Sequence, residues 1–241
     1  MKTLLYKYLK TIWHNSADFN NQILTSFIES GKRVRVLDIG CNDGVIISQF
    51  INSKIKSPII YGVEIDRQLI KKAKKCGIRA IYANAEKQLP YKTNFFDVVI
   101  ANQIIEHIVD VDTFTSEIFR VLKPEGYVVI STENLSSWHN IVALFFGWQA
   151  FSQHISRKLN IGNPLRINPH NPINLTTTSG MHIKIFTPRG LKELFELYGF
   201  NVENTYGAGH YPFPQFISKI LSTLDPTHSV FIGLKARKPK K

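Results

Sequence analysis

Two short turns carry the chemistry that can be read from this sequence. The first is Val36-Leu37-Asp38-Ile39-Gly40-Cys41-Asn42-Asp43-Gly44, and the second is Gly62-Val63-Glu64-Ile65-Asp66, with Glu64 lying 24 residues past Gly40. Each turn closes an apolar run. Each is therefore expected at the carboxyl end of a strand, the edge where open α/β sheets bind ligands. Gly40 and Gly44 let the backbone bend sharply and approach a ligand closely. The spacing G-x-G-x-x-G is absent, so a pyrophosphate has no cradle, which argues against NAD. Glu64 is placed to accept hydrogen bonds from both hydroxyls of a ribose, and its charge disfavours a phosphate beside it. An adenosine without phosphates is the ligand consistent with both features.

Acid–base chemistry would fall to histidine. The candidates are His107, in the pair Glu106-His107, and His182. His139, His154 and His170 are further candidates from a less regular stretch. Single histidines also serve structural ends, and Glu106-His107 reads equally well as a helix cap. Cys41 and Cys76 are the only cysteines, so neither a disulfide framework nor a Cys-rich zinc site is available, and no metal is expected.

The elements that must hold these residues follow from periodicity. Leu4, Leu5, Tyr8, Leu9 and Ile12 recur at helical spacing among lysines, which predicts an amphipathic helix over the first 30 residues. Strands are expected at Val34–Ile39, Ile59–Glu64, Ile78–Tyr82, Phe95–Ala101 and Tyr127–Ser131. Helices lie between them, from Val45, over Arg67–Cys76 with Gly77 as its stop, and over Val111–Leu122. Apolar strands without alternation, separated by helices, imply a parallel sheet covered on both faces. The region 134–186 breaks the pattern with prolines, polar clusters and an aromatic stretch, as a lid or binding loop does. A helix starts again at Thr187-Pro188, strands return at Phe200–Tyr206 and Val230–Ala236, and a short helix lies near Phe216–Leu224. The chain thus divides into a helical cap (1–33), a ligand-binding core (34–134), an insertion (135–186) and the end of the same sheet (187–241).

Composition narrows the setting. The 241 residues carry 30 Lys+Arg against 18 Asp+Glu, a formal charge of +12, and 44% are hydrophobic. That balance is globular, not disordered or collagen-like. The longest apolar run, Ile141–Trp148, is far below the roughly 20 residues of a membrane span. Lys7 and Lys10 interrupt the start as no signal peptide allows, so a cytoplasmic location is expected, with membrane association as an option. The positive charge could attract anionic lipid, nucleic acid or a phosphorylated substrate, or simply solvate the surface. No nucleic-acid-reading motif accompanies it, and no specific nucleic-acid partner is expected. The oligomeric state is not legible.

The order of these pieces resembles the class I S-adenosylmethionine-dependent methyltransferases, over residues 34–133 and more loosely over 182–236. V-L-D-I-G-C-N-D-G looks like their first motif and G-V-E-I-D their second. Asn84-Ala85-Glu86, with Leu89-Pro90-Tyr91 and Phe95-Phe96-Asp97-Val98-Val99, is similar to the adenine loop and fourth strand. Ala101-Asn102-Gln103-Ile104-Ile105-Glu106-His107 resembles the segment beneath the methionine moiety, and V-L-K-P-E-G-Y-V-V-I-S-T the entry to the fifth strand. The resemblance implies a Rossmann-like, doubly wound α/β fold. Its sheet would be mostly parallel and seven-stranded, with a lid insertion between the fifth strand and the last helix. It implies S-adenosyl-L-methionine as cofactor and S-adenosyl-L-homocysteine as product. Asp38, Gly40, Cys41, Asn42 and Gly44 would surround the methionine part, and Glu64 the ribose. Ile65 would pack on the adenine, Asn84, Ala85 and Glu86 would approach its amine, and Asn102 and Gln103 would form the floor. Where the family has glycine, this chain has Asn42, a residue that tolerates left-handed φ.

The implied activity is transfer of a methyl group to a small-molecule, lipid or sugar-conjugate acceptor. His182-Ile183-Lys184-Ile185-Phe186-Thr187-Pro188 resembles small-molecule and lipid methyltransferases more than nucleic-acid ones. An RNA methyltransferase and a non-catalytic Rossmann-like binding protein are the alternatives. The first is disfavoured for base amines, because Asn102-Gln103-Ile104-Ile105 stands where an N-P-P-Y-type segment would. Trp138, Phe145, Phe146, Trp148 and Phe151 could wall an acceptor pocket, form the lid's own core, or dip into a membrane interface over Ile141–Phe151.

Overall fold

The computed structural model describes residues 2–165 and 181–240, with residues 2–6 as backbone alone, so the side chains of Leu4 and Leu5 lie outside the described ones. Helix α1 (Lys2–Ser26) leads through β1 (Gly31–Lys32) into the central strand β2 (Arg35–Ile39). There follow α2 (Val45–Lys54), β3 (Ile55–Lys56), β4 (Ile59–Glu64), α3 (Arg67–Lys75), β5 (Arg79–Tyr82), β6 (Phe96–Asn102), α4 (Val111–Val121) and β7 (Leu122–Glu133). The rest comprises α5 (Trp138–Phe145), α6 (Pro188–Leu197), β8 (Asn201–Ala208), α7 (Gln215–Leu224) and β9 (Phe231–Arg237). β1 pairs with β3, and the other seven strands form one sheet ordered β5-β4-β2-β6-β7-β9-β8. Six of them run in one direction, and β9 alone opposes them, entering antiparallel between β7 and β8. This is the mostly parallel seven-stranded α/β sheet expected from the sequence.

The strand order reverses between β2 and β6, which opens a crevice at their carboxyl ends. β2 shows why the sheet is a rigid floor for that crevice. Val36 belongs to an apolar layer with Leu24, Ile47, Ile51 and Ile70, and the adjacent Leu37 to the opposite layer with Phe114, Ile118, Leu191 and Phe195. Each such fully buried aliphatic contributes about 1.5–3 kcal/mol.

Two expectations needed correction. The fifth strand begins at Leu122, not Tyr127. Leu122 pairs with Phe96 and Tyr127 with Val98, so the Lys123–Gly126 segment is taken up as a bulge along β6. The insertion is not wholly irregular, since α5 forms within it, and a bridge between Asn134 and Phe186 ties its two ends together. Among the described residues no helix is long and apolar enough to cross a membrane.

Gly44 caps α2 with φ of 78°, and a Cβ there would lie 2.4 Å from Ile78 Cδ1 and 3.1 Å from Ala73 Cα. Gly44→Ala is therefore expected to cost about 2–3 kcal/mol, from left-handed strain plus overpacking. In a chain of this size that lowers the melting temperature by about 5–10 °C. Differential scanning calorimetry showing an unchanged transition would contradict the tight α2–α3 contact.

Candidate functional site

The two turns singled out in the sequence meet at the crevice. Glu64 joins them: its Oε1 accepts from the backbone N–H of Ile65 (2.8 Å) and Asp66 (3.1 Å), and its Oε2 accepts from Asn42 N–H (3.1 Å). Asn42 adopts φ of 49°, and Gly40 φ of 74°. The left-handed turn thus survives with asparagine in place of glycine, and Asn42 Oδ1 stabilises it by accepting from Asp43 N–H (2.7 Å). Asp66 then caps α3 by accepting from Gln68 and Leu69 N–H.

A cavity of about 290 Å³ opens above these turns, lined by Gly40, Asn42, Glu64, Ile65, Asn84, Ala85, Glu86, Gln103 and His107, among others. A second lobe of about 340 Å³ shares Gly40, Asn42 and Gln103 with it and adds Asp38, Cys41, Gly44 and Asn102. All twelve residues expected at the cofactor, and His107 besides, therefore line one or other of these two adjoining cavities. Two of them are fixed by hydrogen bonds, one within their own loop and one to the loop after β6. Asn84 Oδ1 accepts from Glu86 N–H (2.9 Å), and Glu86 Oε1 from Val109 N–H (2.6 Å).

The floor under Asn102 includes residues that sequence reasoning missed. Asn102 Nδ2 donates to Asn21 Oδ1 (2.9 Å), while its Oδ1 accepts from Ser131 Oγ (2.6 Å) and Asn20 Nδ2 (3.2 Å). Tyr206 O–H donates to Asn20 Oδ1 (2.9 Å), and the Gln103 amide lies 3.0 Å from Ser131 Oγ. The available signal was the adjacent amide pair Asn20-Asn21 in the last third of the first helix.

Asp38 is buried and lines the second lobe, and among the described residues nothing donates to its carboxylate. Burial, reinforced by the charge of Glu64, pushes its pKa up to about 7. The folded state thus holds a proton that the unfolded chain gives up near pH 4, so the unliganded protein loses stability as pH rises from about 4 to 7. A cationic ligand beside Asp38 reverses this preference and expels the proton. Affinity for such a ligand is expected to rise with pH up to about 7 and then level off. Calorimetric titration in buffers of different ionisation enthalpy should detect proton release at pH 6, and none at pH 8.

The histidines gather on the other side of Gln103. The His107 and His182 rings stand edge to face, with centroids 4.9 Å apart. His107 Nδ1 donates to Met181 O (2.8 Å), which fixes its tautomer and leaves Nε2 free to accept. Burial holds its pKa below the usual value, so it is neutral at pH 7. His182 Nδ1 donates to Ser152 O (2.9 Å) and to the buried Glu133 carboxylate (3.1 Å). Burial works against the charge on His182, but Glu133 and Glu106 outweigh it and push its pKa up to about 9. The site thus sets a neutral imidazole against an imidazolium. Glu106, also buried and raised to about 7 chiefly by that burial, accepts from Thr132 Oγ1 (2.9 Å). Glu106, His107 and His182 each present one ligand atom within 4.8 Å of the others, a spacing that a divalent cation or an acceptor oxygen could bridge.

His182 lines a further cavity of about 360 Å³ with Trp13, Glu133, His139, Phe151, His154 and Tyr211. His107 and His182 therefore stand at the seam between this space and the first. His154 accepts from His182 N–H (3.1 Å), and His139 lies against Phe151 and Tyr211. His170 lies outside the described residues. Of the five aromatics of the insertion, Trp138 and Phe151 line cavities, whereas Phe145 and Phe146 are 83% and 59% exposed and line none of these cavities.

A family model described as a methyltransferase domain matches residues 12–205. The ubiquinone biosynthesis O-methyltransferase of Bartonella bacilliformis is 31% identical over 112 residues, 44% of either chain. The mitochondrial enzyme of the same name from Bos taurus is 23% identical over 193 residues, covering 75% of this chain and 45% of its own. The chain spans about half the length of these relatives. The structure of an S-adenosylmethionine-dependent methyltransferase from Mesorhizobium loti superposes with a TM-score of 0.61 at 17% identity, covering 90% of this chain and 96% of that one. A cyclase, SpnF, superposes at 0.58 and 18% identity, covering 92% and 80%, so the fold alone does not fix the reaction.

Proposed function

Since the chain belongs to the methyltransferase-domain family, we propose that it transfers the methyl group of S-adenosylmethionine to an oxygen of a small molecule held against the edges of His107 and His182. The residues present fit the cofactor. A carboxylate stands where ribose hydroxyls need acceptors, no phosphate cradle adjoins it, and Asp38 supplies an unpaired buried carboxylate for a cationic group. When bound, the cofactor supplies an electrophilic methyl carbon on a positive sulfur that leaves as a neutral thioether. The chain's own work is then alignment and proton handling. Glu64 would hold the ribose, Ile65 would pack on the adenine, and Asn84, Ala85 and Glu86 would face its amine. Asp38, Gly40, Cys41, Asn42 and Gly44 would enclose the methionine part, over a floor of Asn102 and Gln103. Fixing nucleophile, methyl carbon and sulfur in line supplies much of the rate.

The observation that carries the acceptor side is the pairing of a neutral His107 with a charged His182 at the junction of two cavities. The His182 imidazolium donates to the acceptor oxygen and makes its hydroxyl more acidic. His107 Nε2 takes the proton as the oxygen–carbon bond forms. The names of the matched relatives, O-methyltransferases, agree with a hydroxyl acceptor.

Titration of the intact protein with S-adenosylhomocysteine tests the cofactor half, and an absence of binding overturns it. Incubation with labelled cofactor and a panel of hydroxylated small molecules tests the acceptor half. Dialysis against a chelator separates the two uses of the Glu106–His107–His182 group, since a proton relay keeps its rate and a cation site loses it.

A further inference from the structure

Helices α5 and α7 are built inside out. On α7 the buried residues are Ser218 and Ser222, while Phe216, Ile220 and Leu224, one turn apart along a single face, are 69%, 59% and 76% exposed. On α5 the buried residues are Asn140 and Ala143, while Val142 and Phe145 face outward. The inner faces are polar for a reason. Ser218 Oγ and Ser222 Oγ accept from the backbone N–H groups of His210 (2.6 Å) and Gly209 (2.9 Å). Asn140 Nδ2 donates to Asn134 O (2.9 Å) and Ser152 Oγ (3.0 Å). Among the described residues nothing covers the apolar stripes, which stay exposed.

The two helices border one trough of about 630 Å³, walled by Trp138 and Val142 on one side and Phe213 and Leu221 on the other. Contiguous exposed apolar surface of this kind marks an interaction face. The charge around it identifies the partner. Residues 134–192 and 205–224 contain no Asp or Glu, nor do residues 1–17, whereas Lys7, Lys10, Arg157, Lys158 and Lys219 lie within those stretches. Asp225 at the end of α7 is engaged by hydrogen bonds with Trp138 Nε1 (2.9 Å) and His228 Nδ1 (2.7 Å). A second copy of the chain would bring the same cationic segments against each other. An anionic lipid surface complements both the charge and the aromatic tips, and no described helix is long and apolar enough to cross it.

We propose that α5 and α7 form a docking face for an anionic bilayer surface, with Phe145 and Phe216 entering the headgroup boundary. The trough and the histidine-lined cavity share His139, Phe151 and Tyr211. If the methyl-transfer reading above holds, docking also sets that cavity beside the membrane.

Co-sedimentation of the full chain with phosphatidylcholine vesicles, and with vesicles half phosphatidylglycerol, tests this at two salt concentrations. Binding to the anionic vesicles that weakens with salt is expected, with little on the neutral ones. Phe145→Ser combined with Phe216→Ser should weaken it about tenfold or more, and Lys219→Glu about fivefold. Affinity for S-adenosylhomocysteine should stay unchanged in both, which separates this proposal from the methyl-transfer reading. Quenching of tryptophan fluorescence by brominated lipid provides a readout on the unmodified protein. Wild-type protein left in the supernatant, or a double variant that binds as well as wild type, overturns the proposal. So does a solution dimer, seen by light scattering, that the double variant dissociates, because a second copy would then occupy the face.

Discussion

Glu64→Gln is expected to weaken binding of S-adenosylhomocysteine about a hundredfold. The carboxylate has two tasks at once. It holds the turns after β2 and β4 together through the N–H groups of Asn42, Ile65 and Asp66, and its charge is what the ribose hydroxyls would meet. A hydrogen bond to a charged group is worth about 1.5–3 kcal/mol, and glutamine replaces two such bonds with weaker neutral ones. It also turns a donor toward Asn42 N–H. A total near 3 kcal/mol corresponds to about two decades in affinity. Isothermal titration measures this directly. Glutamine preserves the size of the side chain but sets a donor against one of these N–H groups, so the melting temperature of the free protein should also fall, by about 2–8 °C. An unchanged affinity would show that the ribose lies elsewhere.

The second large effect concerns proton transfer. His107→Asn should lower the methylation rate on a hydroxyl acceptor by about 10²–10⁴-fold, the usual contribution of a positioned base, with little effect on S-adenosylhomocysteine affinity. The two imidazoles also predict the shape of the pH profile. His107 must be unprotonated, and burial keeps its pKa below the ordinary 6.5. His182 must be protonated, and its pKa is about 9. The rate should therefore be high between these limits and fall outside them. In Glu133→Gln the carboxylate that sustains the His182 charge is gone, while the burial that opposes it remains. The alkaline limb should then move to lower pH and the acidic limb stay in place. A rigid shift of both limbs, or none, would argue that Glu133 only supports the fold.

Much of this arrangement was written in local sequence. The apolar runs that end at Asp38 and Glu64 each bury two faces of a parallel strand, and a run without alternation has few other uses. Asn42 could be trusted with a left-handed turn because its short side chain bonds locally, as it does to Asp43 N–H. What escaped is non-local. Glu133 and His182 are 49 residues apart, and they meet only because the end of β7 faces the extended chain that leaves the insertion. The Asn20–Asn102 contact spans 82 residues and depends on where α1 crosses the sheet. Helical periodicity assigns an apolar stripe to the core, yet on α7 the backbone N–H groups of Gly209 and His210 claimed the inner face for serine. A hydrogen-bond demand created by a neighbouring loop leaves no trace in spacing.

The asparagine pair on α1 matters to anyone who would trim the protein. A shortened version starting at Gly31 keeps all seven strands of the sheet, and by topology it looks whole. It nevertheless strips Asn102 of two amide partners and Tyr206 of its acceptor, and leaves polar groups stranded where the methionine end should rest. Such a truncation would be a scaffold with its threshold removed, its layer against Val36 opened by the loss of Leu24 and Ile28, and unable to retain its nucleoside.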